Sequence, residues 1–166
     1  MARYLGTNED FLLSIKNKPT DFYYPKLGVK IGKKLRDLHI ACNGLGSIHD
    51  KIEKNILNRY AYYKSFQGGI QRRSILTNAS QHLGAIQIIK IDIKDFFPSI
   101  NPNRVIKSFL SLGMNRICAE VLAAVTTVAG QKPHLPQGYA TSPKIAALVL
   151  SGFEKKTTSA MHKIRV

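Results

Sequence analysis

Apolar residues recur along this chain with two periods, and the switches between them mark out its elements. Phe11, Leu12 and Ile15 make an apolar side behind Thr7 or Asn8, either of which can cap a helix opening with Glu9 and Asp10; Pro19 ends it. From Phe22 to Ala41 the pattern predicts two short strands around a basic turn, with Gly32 giving the backbone the freedom to reverse. Ser47 and Asp50 have capping-box spacing, and Ile48, Ile52, Ile56 and Tyr60 then recur at helical spacing to about Tyr63. Gly68 and Gly69 break the chain. The run IQIIKIDI, with Ile86, Ile88, Ile89, Ile91 and Ile93, predicts a buried strand. Asn101 and Pro102 open a helix to Gly113 with Val105, Ile106, Phe109 and Leu110 inward, and another runs from Asn115 to about Ala129. Ser142 and Pro143 start a last helix, apolar from Ile145 to Phe153 and charged from Glu154. The sum is an α+β chain, helices packed on a small, mostly antiparallel sheet.

The isoleucine run delivers a carboxylate. Asp92 stands at its end, and Asp95, Phe96, Phe97 and Pro98 follow at once. An ionised carboxylate in so apolar a strand costs several kcal/mol without a partner, or shifts its pKa upward. A divalent cation is one remedy. Mg²⁺ favours one or two carboxylates with phosphate oxygens, which points to phosphoryl transfer. Asp after a strand is also an ordinary turn former, and this stretch by itself does not separate the two readings.

Composition narrows the partners. Lys and Arg number 25 against 10 Asp and Glu, a formal net charge of +15, and nucleic acid is the commonest partner of such an excess. With 44% hydrophobic residues the chain can bury a core, which excludes general disorder. Cys42 and Cys118 form no CxxC or Cys/His cluster, so neither zinc nor a disulfide framework is indicated, and a reduced, cytoplasmic setting fits. The N-terminus is unlike a signal peptide, no run reaches the ~18 apolar residues needed to span a bilayer, and no membrane partner is expected.

Further on comes LPQGYATSP, Leu135 to Pro143, a turn-rich segment directly before an apolar helix. Together, DIKDFF from Asp92 and LPQGYATSP from Leu135 resemble the reverse transcriptases, most closely the retron-type and group II intron-like bacterial enzymes. That family carries D-[IL]-x-x-[FY]-[FY] with its first catalytic aspartate, then LPQG-x-x-[TS]-SP as a nucleotide and template motif. The glycine break is similar to a third family pattern, GF-x-x-GRSI-x-x-NA-x-x-H, through Gly69, Ile70, Arg73, Ser74, Ile75, Asn78, Ala79 and His82, with Arg72 where a glycine is usual. Lys30, Gly32 and Arg36 come close to the family's K-x-x-G-x-x-R hairpin, the glycine one place early.

The resemblance implies an RNA-directed DNA polymerase, a nucleotidyltransferase copying an RNA template with dNTPs, with RNA template and RNA–DNA duplex as partners and two Mg²⁺ ions as cofactors. Asp92 would be the catalytic carboxylate and metal ligand, with the Ile93 carbonyl helping one ion. Lys30 and Arg36 would grip the incoming triphosphate, although lysines also guard edge strands against pairing. Asp95 and Phe96 would help form the pocket, and Phe97 falls where the family has an aromatic steric gate against a 2′-hydroxyl. Strand alternation would let only one of the two phenylalanines face the pocket. Gln137 and Gly138 would support the nucleotide's sugar and base. Arg72, Arg73 and Ser74 would meet the template; His82 is expected to be a packed or capping histidine.

The family implies residues 1–85 as fingers with an N-terminal helix, and 86–166 as a partial palm with interleaved fingers helices. The family's second carboxylate motif, [YF]-x-DD, is not reached by Val166, and no Asp-Asp pair occurs in the sequence. Asp92 alone cannot hold two Mg²⁺ ions against their hydration, so this chain by itself is expected to be inactive. Exposed apolar surface and poor solubility would follow from a sheet without its closing strands. The alternative is a non-catalytic RNA-binding remnant, or one subunit of a split polymerase whose C-terminal half lies on another chain.

Overall fold

A computed structural model describes residues 1–164, excepting the side chains of 158 and 160–164. Helix α1 (Glu9–Asn17) is capped by Asn8, whose side chain accepts from the Phe11 N–H at 2.8 Å. Pro19 then opens a 3₁₀ turn leading into strand β1 (Tyr23–Ile31). This pairs antiparallel with β2 (Lys34–Ala41), from Tyr23 opposite Ala41 to Ile31 opposite Lys34. The loop between them is Gly32–Lys33; φ of +61° at Gly32 places glycine first in the turn, as the type II′ hairpin requires. The register slips between Lys26 and Val29, where the Gly28 N–H donates to Asp37 Oδ1 at 2.9 Å and a bulge twists the hairpin.

Helix α2 (Leu45–Asn55) starts at a left-handed Gly44, so Ser47 is inside the first turn rather than a cap. It also stops well before Tyr63. Burial of Ile56 and Leu57 in succession draws the chain off the stripe set by Ile48 and Ile52, into a 3₁₀ turn at Leu57–Arg59. The short helices α3 (Ile75–Ser80) and α4 (Phe96–Ser99) follow, then α5 (Pro102–Ser111) and α6 (Arg116–Thr126). Asn101 and Asn115 cap the latter two, accepting from Arg104 N–H at 3.0 Å and Cys118 N–H at 2.9 Å. α6 ends short of Ala129 because Val128 leaves it to bridge His134. Helix α7 (Ser142–Ile164) closes the described chain.

The core is helix against helix. Leu12 and Ile15 of α1, Ile48 and Ile52 of α2, Phe109 of α5, Leu122 of α6 and Ile145 of α7 are buried together. Each such side chain contributes about 2 kcal/mol on leaving water. His49 crosses from α2 to α6, its Nε2 bonded to the Val125 carbonyl at 2.7 Å, and burial lowers its pKa.

Residues 86–93 correct the expectation of a central buried strand. Their isoleucines are exposed, from 53% at Ile93 to 99% at Ile86, and none enters a ladder. A strand is held by its neighbours; β1 and β2 satisfy each other, and no other sheet exists among the described residues. The fold is α+β, a two-stranded antiparallel hairpin beside a helical core. The exposed apolar surface expected of an unclosed sheet is present.

Candidate functional site

A cleft of about 820 Å³ opens between β2, the 92–98 stretch and the turn before α7. Its third wall is pinned from two sides: the Leu135 N–H donates to the Ile100 carbonyl at 2.8 Å, and the His39 N–H donates to the Gln137 carbonyl at 2.8 Å. Residues 135–137 therefore bridge the end of α4 and the hairpin. Arg36 Nη1 donates to Gln137 Oε1 at 3.4 Å across the mouth.

Residues far apart in sequence share this cleft. The hairpin brings Arg36, the middle of the chain Asp92, Ile93, Asp95, Phe96 and Phe97, and the LPQG turn Gln137. Asp92 and Asp95 are solvent-exposed, so the burial cost that made Asp92 conspicuous in the sequence is not paid. Asp95 has a left-handed φ of +48° at the head of α4, where its carbonyl accepts the Ser99 N–H at 2.9 Å. Phe96 and Phe97 open that helix edge to face, ring centroids 5.9 Å apart. Strand alternation does not apply to them, and both half-buried rings line the cleft.

Lys30 and Gly138 lie outside the lining. Lys30 pairs with Leu35, one register step from the Val29–Arg36 pair, and successive strand side chains face opposite ways. Gly138 makes its close approach to the backbone of His39 on β2. Sequence reasoning missed Asp37, His39, Lys94 and His134, which the fold adds to the cleft. The rings of His39 and His134 meet edge to face at 5.8 Å. Burial and then His134 lower the pKa of His39, against Asp37, which raises it. His134 adjoins the LPQG motif, a signal that was available; His39 gave none.

The residues expected at the template stand elsewhere. Arg72 and Arg73 line a second cleft of about 600 Å³ between residues 58–64 and 70–73, with Lys144 of α7 also in its wall. Arg72 has a left-handed φ of +60°, the conformation a glycine in its place would adopt freely. The Arg73 guanidinium is bound to backbone carbonyls, those of Tyr62 at 2.9 Å and of Tyr63 and Phe66. Ser74 caps α3, its Oγ accepting from Thr77 N–H at 3.3 Å. Lys144 is buried and paired with Glu53, while the buried Tyr62 hydroxyl has no partner and burial raises its pKa.

No helix among the described residues is long and apolar enough to cross a membrane. No protein-family model matches the chain. It is 38% identical to the Retron Ec86 reverse transcriptase of Escherichia coli over 119 residues, 72% of this chain and 36% of that protein. Against the Retron Mx162 reverse transcriptase of Myxococcus xanthus it is 30% identical over 125 residues, 66% of this chain and 26% of the relative. The Retron Mx65 reverse transcriptase of the same organism is 28% identical over 137 residues, 74% of this chain and 32% of the relative. The chain spans about a third of the length of these curated relatives. Across most of its own length, then, this chain is homologous to the retron reverse transcriptases.

Proposed function

We propose that this chain is the nucleotide- and template-binding part of an RNA-directed DNA polymerase, with residues 1–85 as fingers and 86–166 as partial palm. One observation carries the reading: Arg36, the Asp92–Phe97 stretch and Gln137 converge on a single cleft. In the reaction a primer 3′-hydroxyl attacks the α-phosphate of a dNTP in line, and pyrophosphate leaves.

Cations at the hairpin neutralise the triphosphate, Arg36 from the cleft wall with Lys34 beside it. Arg36 also holds the Gln137 amide, which presents it to the sugar, and Gly138 seats that turn against the hairpin. Phe97 stands against the sugar and excludes a 2′-hydroxyl, with Phe96 packed on it; Asp95 fixes the turn that aims both. Arg72 and Ser74 belong to the template side, with Arg73 holding their loop from behind.

The donor chemistry of Asp92 and the Ile93 carbonyl, hard oxygens in the lining of a cleft roomy enough for a nucleotide, fits a share in a Mg²⁺ site. When bound, such ions lower the barrier by neutralising charge on the attacking and leaving oxygens. No group of three His, Cys, Asp or Glu side chains able to hold a metal occurs among the described residues. A two-ion site thus needs a carboxylate from outside them, and the chain alone is expected to be inactive.

The test is templated dNTP addition by the chain alone and joined to its downstream coding sequence. Activity in the joined form that falls to background in Asp92→Ala supports the reading, and activity that persists in that variant refutes the role of Asp92. Phe97→Ala should admit ribonucleotides. A non-catalytic RNA-binding role, or one half of a split polymerase, is favoured by the charge of +15; it predicts tight, salt-sensitive RNA binding with no addition in either form.

A further inference from the structure

The wall of the first cleft carries a pair of imidazoles that nucleotide addition does not use. His39 on β2 and His134 ahead of the LPQG turn both line it, edge to face, with ring centroids 5.8 Å apart. His39 Nδ1 is buried and has no hydrogen-bond partner. His134 Nδ1 lies 2.8 Å from the Lys132 carbonyl oxygen, and because a carbonyl only accepts, Nδ1 carries the proton. In the neutral ring the lone pair is then on Nε2. A backbone carbonyl orienting the far side of the ring in this way is the usual support of a metal-bound histidine. Burial, and then His134, lower the pKa of His39 against Asp37, so its ring gives up its proton more readily. The charge of the cleft is also balanced. Asp37, Asp92 and Asp95 line it against Lys34, Arg36 and Lys94, so in a chain of net charge +15 it is a region that does not repel a dication.

We propose that His39 and His134 are the two protein ligands of a site for a divalent transition metal of the Zn²⁺ class, which clips the hairpin to the segment before α7. Imidazole suits Zn²⁺ and Ni²⁺, whereas Mg²⁺ takes oxygen ligands, so this ion is a different one from that expected at Asp92. Two imidazoles on one tetrahedral zinc, each nitrogen about 2.1 Å from it, hold their ring centroids roughly 5 Å apart. A small rotation of either ring closes the difference. No set of three His, Cys, Asp or Glu able to hold a metal occurs among the described residues, so water completes the coordination and binding is weak and reversible. The ion adds a second tie between elements that the His39 N–H already joins at the Gln137 carbonyl.

The test is isothermal titration calorimetry of the EDTA-treated and dialysed chain with ZnCl₂, in millimolar MgCl₂ so that oxygen sites are already occupied. His39→Gln and His134→Gln should each weaken Zn²⁺ binding by at least about tenfold. His82→Gln and Cys42→Ser/Cys118→Ser should bind as the parent does. Added Zn²⁺ should also slow amide exchange along β2 in the parent and not in the two histidine variants. Binding that survives both histidine substitutions, or that is lost with the cysteines or His82, would overturn the site. Where a histidine variant fails to fold, paramagnetic Co²⁺ added to the unsubstituted chain decides. The imidazole NMR signals of His39 and His134 should broaden before those of the other histidines, and broadening that reaches any other histidine first rejects the pair as ligands. Neither result bears on the polymerase reading, which stands or falls on nucleotide addition and Asp92.

Discussion

A Cβ added to Gly138 would stand 2.5 Å from the carbonyl oxygen of His39 and 3.1 Å from its nitrogen. The LPQG turn and the hairpin touch backbone to backbone here, beside the 2.8 Å hydrogen bond from His39 to Gln137. Gly138 also has φ of +109°, which side chains rarely adopt. Gly138→Ala should therefore cost about 3 kcal/mol, from strain and displacement together, and detach the hairpin. Denaturant unfolding measures the loss, and faster amide exchange along β2 would locate it. Gly46→Ala is the contrast: in α2 with open space at its Cβ, it should stabilise by about 0.5–1 kcal/mol.

Arg73 holds three backbone carbonyls, those of Tyr62, Tyr63 and Phe66. Charge-assisted hydrogen bonds of this kind are worth more than neutral ones, and a lysine cannot reproduce a planar fork. Arg73→Lys should destabilise the chain by about 2 kcal/mol and raise exchange across residues 62–66. A variant as stable as the parent would return Arg73 to the list of free template cations.

The local signals in the sequence were sound where they depended on local physics. Asn8, Asn101 and Asn115 cap the helices assigned to them, and Gly32 turns the hairpin. The 86–93 run was misjudged because apolar composition predicts burial only when something lies alongside, and pairing partners cannot be read from the strand itself. The cleft was legible through motif resemblance, which named Arg36, Asp92 and Gln137. His39 was not legible: its place beside His134 depends on the contact between β2 and the 134–137 segment, a matter of tertiary packing.

Exposed isoleucines on an unpaired segment make a template for association. Ile86, Ile88, Ile89 and Ile91 are each at least 67% exposed, and such a run invites strand pairing between copies. The chain should self-associate at micromolar concentration. Ile89→Lys/Ile91→Lys should shift it toward monomer in light scattering without lowering the unfolding midpoint, because neither side chain contributes to the core. A fall in midpoint would mean that the run is packed in solution.

Acid should weaken the fold through two histidines. Burial holds the His49 imidazole below its usual range, against the Val125 carbonyl and the charge of Asp50, and burial with His134 does the same for His39. Both therefore take up a proton less readily in the folded chain than in the unfolded one. Below the ordinary value of 6.5 the unfolded chain binds protons that the folded chain refuses, so stability rises with pH across this range. Their contribution is fully present above about pH 6.5 and is lost progressively as pH falls from there toward the depressed folded values. The urea midpoint should be lower at pH 5.5 than at pH 7.5. His49→Gln forfeits the 2.7 Å bond to Val125, costing about 1 kcal/mol at pH 7.5, yet it also removes a proton acceptor from the unfolded state. The gap between the two midpoints should therefore narrow in this variant. An undiminished gap would show that His49 does not carry the acid sensitivity.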